Sequence, residues 1–125
     1  MESNLYTYKV EVDYVYDGDT ITAYSIDFGF GFKQQVKRGA GRRIRFYGIN
    51  TEKRSTELGK AVTVWLKELL EGKEVFVKSH KDRTGKYGGY LFTIYVPGEW
   101  LGEVKEWVNL NQWMVENGFA EEYKL

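Results

Sequence analysis

The chain contains no cysteine. Disulfide frameworks, thiolate metal centres and thiol nucleophiles are therefore excluded, and the fold rests on its packed core. Its one proline, Pro97, argues against a proline-rich linker or a disordered tract. Net charge is absent as well: 18 Lys and Arg balance 18 Asp and Glu. A protein that coats nucleic acid nonspecifically draws on a surplus of cations, so the balance argues against that class. No apolar run reaches transmembrane length, and the start MESNLYTYKVEV has neither the basic opening nor the apolar stretch of an export signal. The expectation is a soluble chain without a membrane segment, its compartment left open.

What is present is apolar and aromatic residues, 42% and 17% of the 125 positions. That length suits one domain over residues 1–125, with tyrosine and tryptophan carrying much of the packing. Charge is balanced in sum but not in place. Between Phe28 and Thr51 every charged side chain is basic: Lys33, Lys37, Arg38, Arg42, Arg43 and Arg45.

Tyr6, Tyr8, Val10, Val12 and Tyr14 alternate with polar residues, which is the period of a strand with one buried face. The Asp17-Gly18-Asp19 turn leads to a second strand from Thr20 to Ile26, and the glycines among Phe28, Phe30 and Phe32 predict a bulge or bend. A basic hairpin tip at Gly39-Ala40-Gly41 feeds a third strand, Arg43 to Ile49. Thr56 caps a helix running to Glu71, expected to pack through Leu58, Val62, Trp65 and Leu69 before Gly72 stops it. Glu74 to Ser79 and Tyr90 to Val96 predict two more strands, and Asn109 caps a short helix ending at Gly118. The fold expected is α+β, mainly β: a five-stranded OB-type barrel with one long and one short helix packed on it.

Three segments carry a resemblance: VYDGDT at 15–20, RFYGINTE at 45–52 and KDRTGKYGGYLFTIY at 81–95. Together and in this order they resemble the staphylococcal nuclease-like, or thermonuclease, family. The resemblance implies a calcium-dependent phosphodiesterase acting on DNA or RNA, with a hard cation held by oxygen ligands beside the scissile phosphate. It implies Asp19 as a metal ligand, with oxygens of Asn50, the Thr51 backbone and a further contribution from Glu52. Arg45 would be a catalytic arginine that clamps the phosphate, and Glu52 the base that activates water. Lys86 and Tyr87 match positions that contact a terminal phosphate.

The departures from the pattern fall on the chemistry. Asn50 replaces an aspartate, keeping an oxygen and removing a charge. Aligned without a gap, the base position is Lys53; with one residue deleted it is Glu52, the alignment favoured by the short loop from Thr51 to Leu58. Gly89 stands where a second catalytic arginine belongs. Lone His80 reads as a polar strand-end residue with no catalytic role, and Trp65, Trp107 and Trp113 as packing. Three functions follow as expectations: a weak nuclease, a nucleic-acid or phosphate-binding module without hydrolysis, or a protein-interaction scaffold.

Overall fold

The alternation at the start of the chain becomes its longest strand, β1 (Thr7–Asp17), in a computed structural model that describes residues 7–29, 32–35, 42–81 and 90–123. The hairpin tip Gly39 to Gly41 and the loop bearing Lys86, Tyr87 and Gly89 lie outside the described residues. β1 pairs antiparallel with β2 (Thr20–Gly29) and, on its other edge, with β6 (Glu74–Lys81). Register shifts at Glu11/Val12, Val12/Tyr14 and Val15/Asp17 add residues to one strand and coil it. Val10, Val12 and Val15 all point into the core. β3 (Phe32–Gln35) pairs with the end of β2 across a shift at Asp27/Gly29, the irregularity expected of that glycine-containing run.

The predicted third strand is divided. β4 (Arg42–Arg45) pairs with β2, whereas β5 (Ile49–Asn50) leaves the main sheet to pair with β9 (Glu121–Glu122). The break falls at Tyr47-Gly48, where Gly48 takes a φ of +73° that other residues rarely adopt. Just before it, Phe46 bridges in parallel to Phe92 of β7 (Tyr90–Pro97), and the Tyr47 N–H donates to the Phe92 carbonyl at 2.7 Å. β7 pairs with β6, so β1, β2, β4, β7 and β6 form a ring returning to β1. That ring is the five-stranded OB-like arrangement expected from sequence. A short strand, β8 (Trp107–Asn109), extends it beyond β7, after a 3₁₀ turn at Gly98–Leu101.

Helix α1 (Glu57–Leu70) starts as predicted, the Thr56 hydroxyl accepting from the Gly59 N–H at 3.1 Å. Its inward face is Gly59, Val62, Thr63, Leu66, Leu69 and Leu70. Leu58 was expected on that face and is instead 47% exposed. The helix is turned by a close approach at the next residue: a Cβ on Gly59 would overlap the Lys53 carbonyl oxygen, so the backbone itself fills the inward position. Trp65 is half-buried and stacks on Trp113 and Phe119, with centroids 5.6 and 4.7 Å away. α2 (Leu110–Glu116) is capped by Asn109, whose Oδ1 accepts from the Gln112 N–H at 3.1 Å. Fully buried Ile21, Ile44, Leu66, Leu70, Ile94, Leu110 and Met114 join ring and helices in one core, each contributing about 1.5–3 kcal/mol by leaving water. Among the described residues no helix is long and apolar enough to cross a membrane.

Candidate functional site

The Asp-Gly-Asp turn between β1 and β2 is first a turn. Asp17 Oδ1 accepts the Asp19 N–H at 3.1 Å, the local bond by which aspartate mimics a backbone turn. The strands then bury its second carboxylate. Asp17 and Thr20 close the β1–β2 ladder, Thr20 stands opposite Arg45, and the Asp19 carbonyl accepts from the Phe46 N–H at 2.9 Å. Asp19 is left 8% exposed.

Ile44 and Phe46 enter the core, so strand alternation turns Arg45 outward over this turn. Its guanidinium Nη2 lies 3.9 Å from Asp19 Oδ2, and Nη1 donates to Thr20 Oγ1 at 3.4 Å. Thr20 Oγ1 in turn donates to Asp19 Oδ1 at 3.1 Å. Asp19 is nonetheless pushed up to about 6. Burial is the main cause, followed by the hydrogen bond and negative charge of Asp17; Arg45 and Thr20 pull the other way without prevailing. A loose ion pair at 3.9 Å does not offset the loss of water around a buried carboxylate.

Thr51 joins this centre through the glycine. A Cβ on Gly18 would lie 2.7 Å from Thr51 Oγ1, so the threonine side chain rests on the turn in the space that glycine leaves open. Asn50 is exposed in β5 opposite Glu121, and Glu52 and Lys53 are exposed beyond it. These three and Thr51 line a cavity of about 280 Å³, together with Leu58 and Phe119. The fold thus gathers Asp19, Arg45 and Thr51 at the turn and sets Asn50 and Glu52 along the adjoining cavity. Glu52 and Lys53 both line that cavity, so both alignments of the base position lead to it. Arg54, just beyond Lys53, stacks on Tyr16.

A larger cavity, about 700 Å³, opens elsewhere against β6, β7 and α2 and contains none of the predicted site residues. Size does not outweigh chemistry, because the buried carboxylate with its arginine is at the turn. The larger cavity is lined partly by His80, whose Nε2 lies 2.8 Å from Thr93 Oγ1 and whose ring stacks on Tyr47 at 3.9 Å. Burial, and secondarily Lys78, lower its pKa, which leaves a packed neutral ring.

One positioning residue was not anticipated. Asn111 is 4% exposed, its Oδ1 accepting from the Ile94 N–H at 2.9 Å and its Nδ2 donating to the Tyr47 and Phe92 carbonyls at 2.8 and 3.0 Å. It pins the turn after Arg45 to β7. The available signal was an asparagine on the α2 face that also carries Leu110 and Met114.

As a cation site the centre offers hard oxygen donors only: carboxylate, side-chain amide, backbone carbonyl and hydroxyl. Among the described residues no group of three or more His, Cys, Asp or Glu converges. A buried carboxyl whose protonation is raised by burial and by the neighbouring Asp17, with neutral oxygens nearby, fits a divalent hard cation held weakly.

A family model described as staphylococcal nuclease homologue matches residues 43–125, about two-thirds of the chain. The match takes in Arg45, Asn50, Thr51 and Glu52 and begins after Asp19. No curated protein matches the chain.

Proposed function

The chain belongs to the staphylococcal nuclease homologue family, and we propose that it is a metal-dependent nucleic-acid phosphodiesterase of low turnover, acting on DNA or RNA. The observation that carries this reading is the buried Asp19 carboxylate 3.9 Å from the outward Arg45 guanidinium. A carboxylate that resists ionisation gains most from a cation, and a guanidinium beside it is the fork that holds a phosphate.

In this reading Asp19, the Asn50 amide oxygen and the Thr51 backbone carbonyl hold calcium, with Asp17 adding negative charge beside Asp19. Calcium, when bound, supplies positive charge at the phosphate and acidifies water. Arg45 donates N–H bonds to a non-bridging phosphate oxygen as charge develops there. Glu52, on the cavity wall next to Thr51, takes the proton of the attacking water. Lys86 and Tyr87 receive a terminal phosphate. With Gly89 in place of an arginine, one donor to the phosphate is missing, a loss of about a hundred- to a thousandfold in rate.

The second reading, binding without hydrolysis, is favoured by Asn50, which is neutral and exposed where the family's pattern has an aspartate. A quenched single-stranded oligonucleotide, titrated with calcium and magnesium beside the Asp19→Ala variant, separates the two. A cleavage signal that needs millimolar calcium and vanishes with Asp19 supports the enzyme. Binding without cleavage at any calcium concentration supports the module, and neither binding nor cleavage leaves the protein-interaction scaffold.

A further inference from the structure

Beside the turn, two guanidiniums converge on one ring. The Arg43 and Arg54 guanidinium carbons lie over Tyr16 at 4.7 and 4.9 Å from its centroid. Tyr16 is 38% exposed, and both arginines are exposed. Among the described residues neither arginine has a carboxylate partner. Two like charges on one ring repel, and the ring's negative face only partly compensates. An anion between or beside them would relieve that repulsion.

The three residues come from the three segments that build the candidate centre. Tyr16 immediately precedes the Asp17-Gly18-Asp19 turn; Arg43 is two residues before Arg45 on the same face of β4; Arg54 follows the Thr51-Glu52 stretch. Residues i and i+2 of a strand stand about 6.6–6.8 Å apart on one face, so Arg43 is one step along from Arg45. The row ends at Tyr14: Lys67 lies 3.8 Å from that ring's centroid, but its charge is matched by Glu71 at 3.0 Å. Among the described residues of this row, the positive charge without a carboxylate partner is therefore that of Arg43 and Arg54.

We propose that Tyr16, Arg43 and Arg54 form an accessory site that binds the backbone and one unpaired base of single-stranded nucleic acid, next to the phosphate held at Arg45. The proposal rests on the phosphodiesterase or binding reading of the Asp19 centre and adds the substrate's form, a polymer that continues past that centre over Tyr16. Guanidinium edges donate to phosphate while their planes, and the exposed part of the tyrosine ring, accept a stacked base. A base inside a duplex has no free face to offer.

The test is fluorescence anisotropy of a labelled 12-nucleotide oligothymidylate, without divalent ions, over a series of potassium chloride concentrations. Wild type is compared with Arg43→Gln, Arg54→Gln, their double variant and the double Lys variant, each checked for folding by circular dichroism. The slope of log affinity against log salt should become shallower by about 0.7 per arginine removed. The Lys pair should keep the slope and lose about two- to fivefold in affinity, because ammonium keeps the charge without the planar stack. Thymidine 5′-monophosphate, used as a competitor that reaches only the central phosphate, should bind equally to all variants. If wild type binds the oligonucleotide but the folded double Gln variant keeps both affinity and slope, the accessory site is wrong and the reading of the centre stands. If the variants lose a 12-base-pair duplex equally, the single-strand assignment is wrong. If wild type neither binds nor cleaves any oligonucleotide, the reading of the centre fails and the accessory site with it.

Discussion

Thr20 and Arg45 stand opposite one another in the β2–β4 ladder, although 25 residues separate them. That register carries the arginine to within 3.9 Å of Asp19. Arg45→Met should therefore push the Asp19 carboxyl above its present value of about 6, since one of the two influences holding it down is gone. Turnover of an oligonucleotide should fall by about a hundred- to a thousandfold. Carboxyl NMR titration and the cleavage rate measure the two effects, and an unchanged Asp19 titration would dissolve the link between them.

Asp19 also fixes a pH dependence. Its folded pKa of about 6 lies above the ordinary 3.8, so the folded state favours the protonated acid. The resulting stability is full below pH 3.8 and is lost as pH rises through 6. Asp19→Asn should match wild type near pH 3.5 and exceed it by about 1–3 kcal/mol at pH 7 in urea titrations without calcium. His80 has the opposite sign: its lowered pKa gives stability that is full above 6.5 and lost as pH falls. In Asp19→Asn that limb should stand alone, with stability rising toward pH 6.5.

Gly18→Ala tests the seat of Thr51. The new Cβ would lie 2.7 Å from Thr51 Oγ1 and 2.8 Å from its Cβ, too close for the threonine to stay. Stability should fall by about 1–3 kcal/mol, and calcium affinity measured by calorimetry should fall with it. Adding Thr51→Gly removes the overlapping side chain while keeping the backbone oxygen, and should recover both the stability and the calcium affinity.

Asn111→Ala should cost about 2–5 kcal/mol, because the Ile94 N–H and the Tyr47 and Phe92 carbonyls lose their partner in the interior. Hydrogen exchange at the Ile94 amide should accelerate more than at the Val10 amide on the far side of the ring. Equal acceleration would mean only a global loss of stability.

Gly89→Arg should raise an existing cleavage rate by about a hundredfold by returning a donor to the phosphate. No gain in a folded variant that still binds oligonucleotide would mean that the base is missing too, with Lys53 rather than Glu52 in its place.

By itself the sequence determined the elements whose information is local. The alternation from Thr7 specified β1, Thr56 and Asn109 specified where the helices start, and Asp17-Gly18-Asp19 specified the turn. Period and capping chemistry act over a few residues, so they are legible one segment at a time. Tertiary structure decided what depends on residues far apart in the chain. Gly48 divided the third strand because β5 found a partner in β9, more than 70 residues on. Gly59 displaced Leu58 because the Lys53 carbonyl presses against it. Asp19 as a candidate ligand was suggested by a motif, but its pKa near 6 was not legible there, since burial by strands that meet only in the ring removes the water that would have solvated its charge.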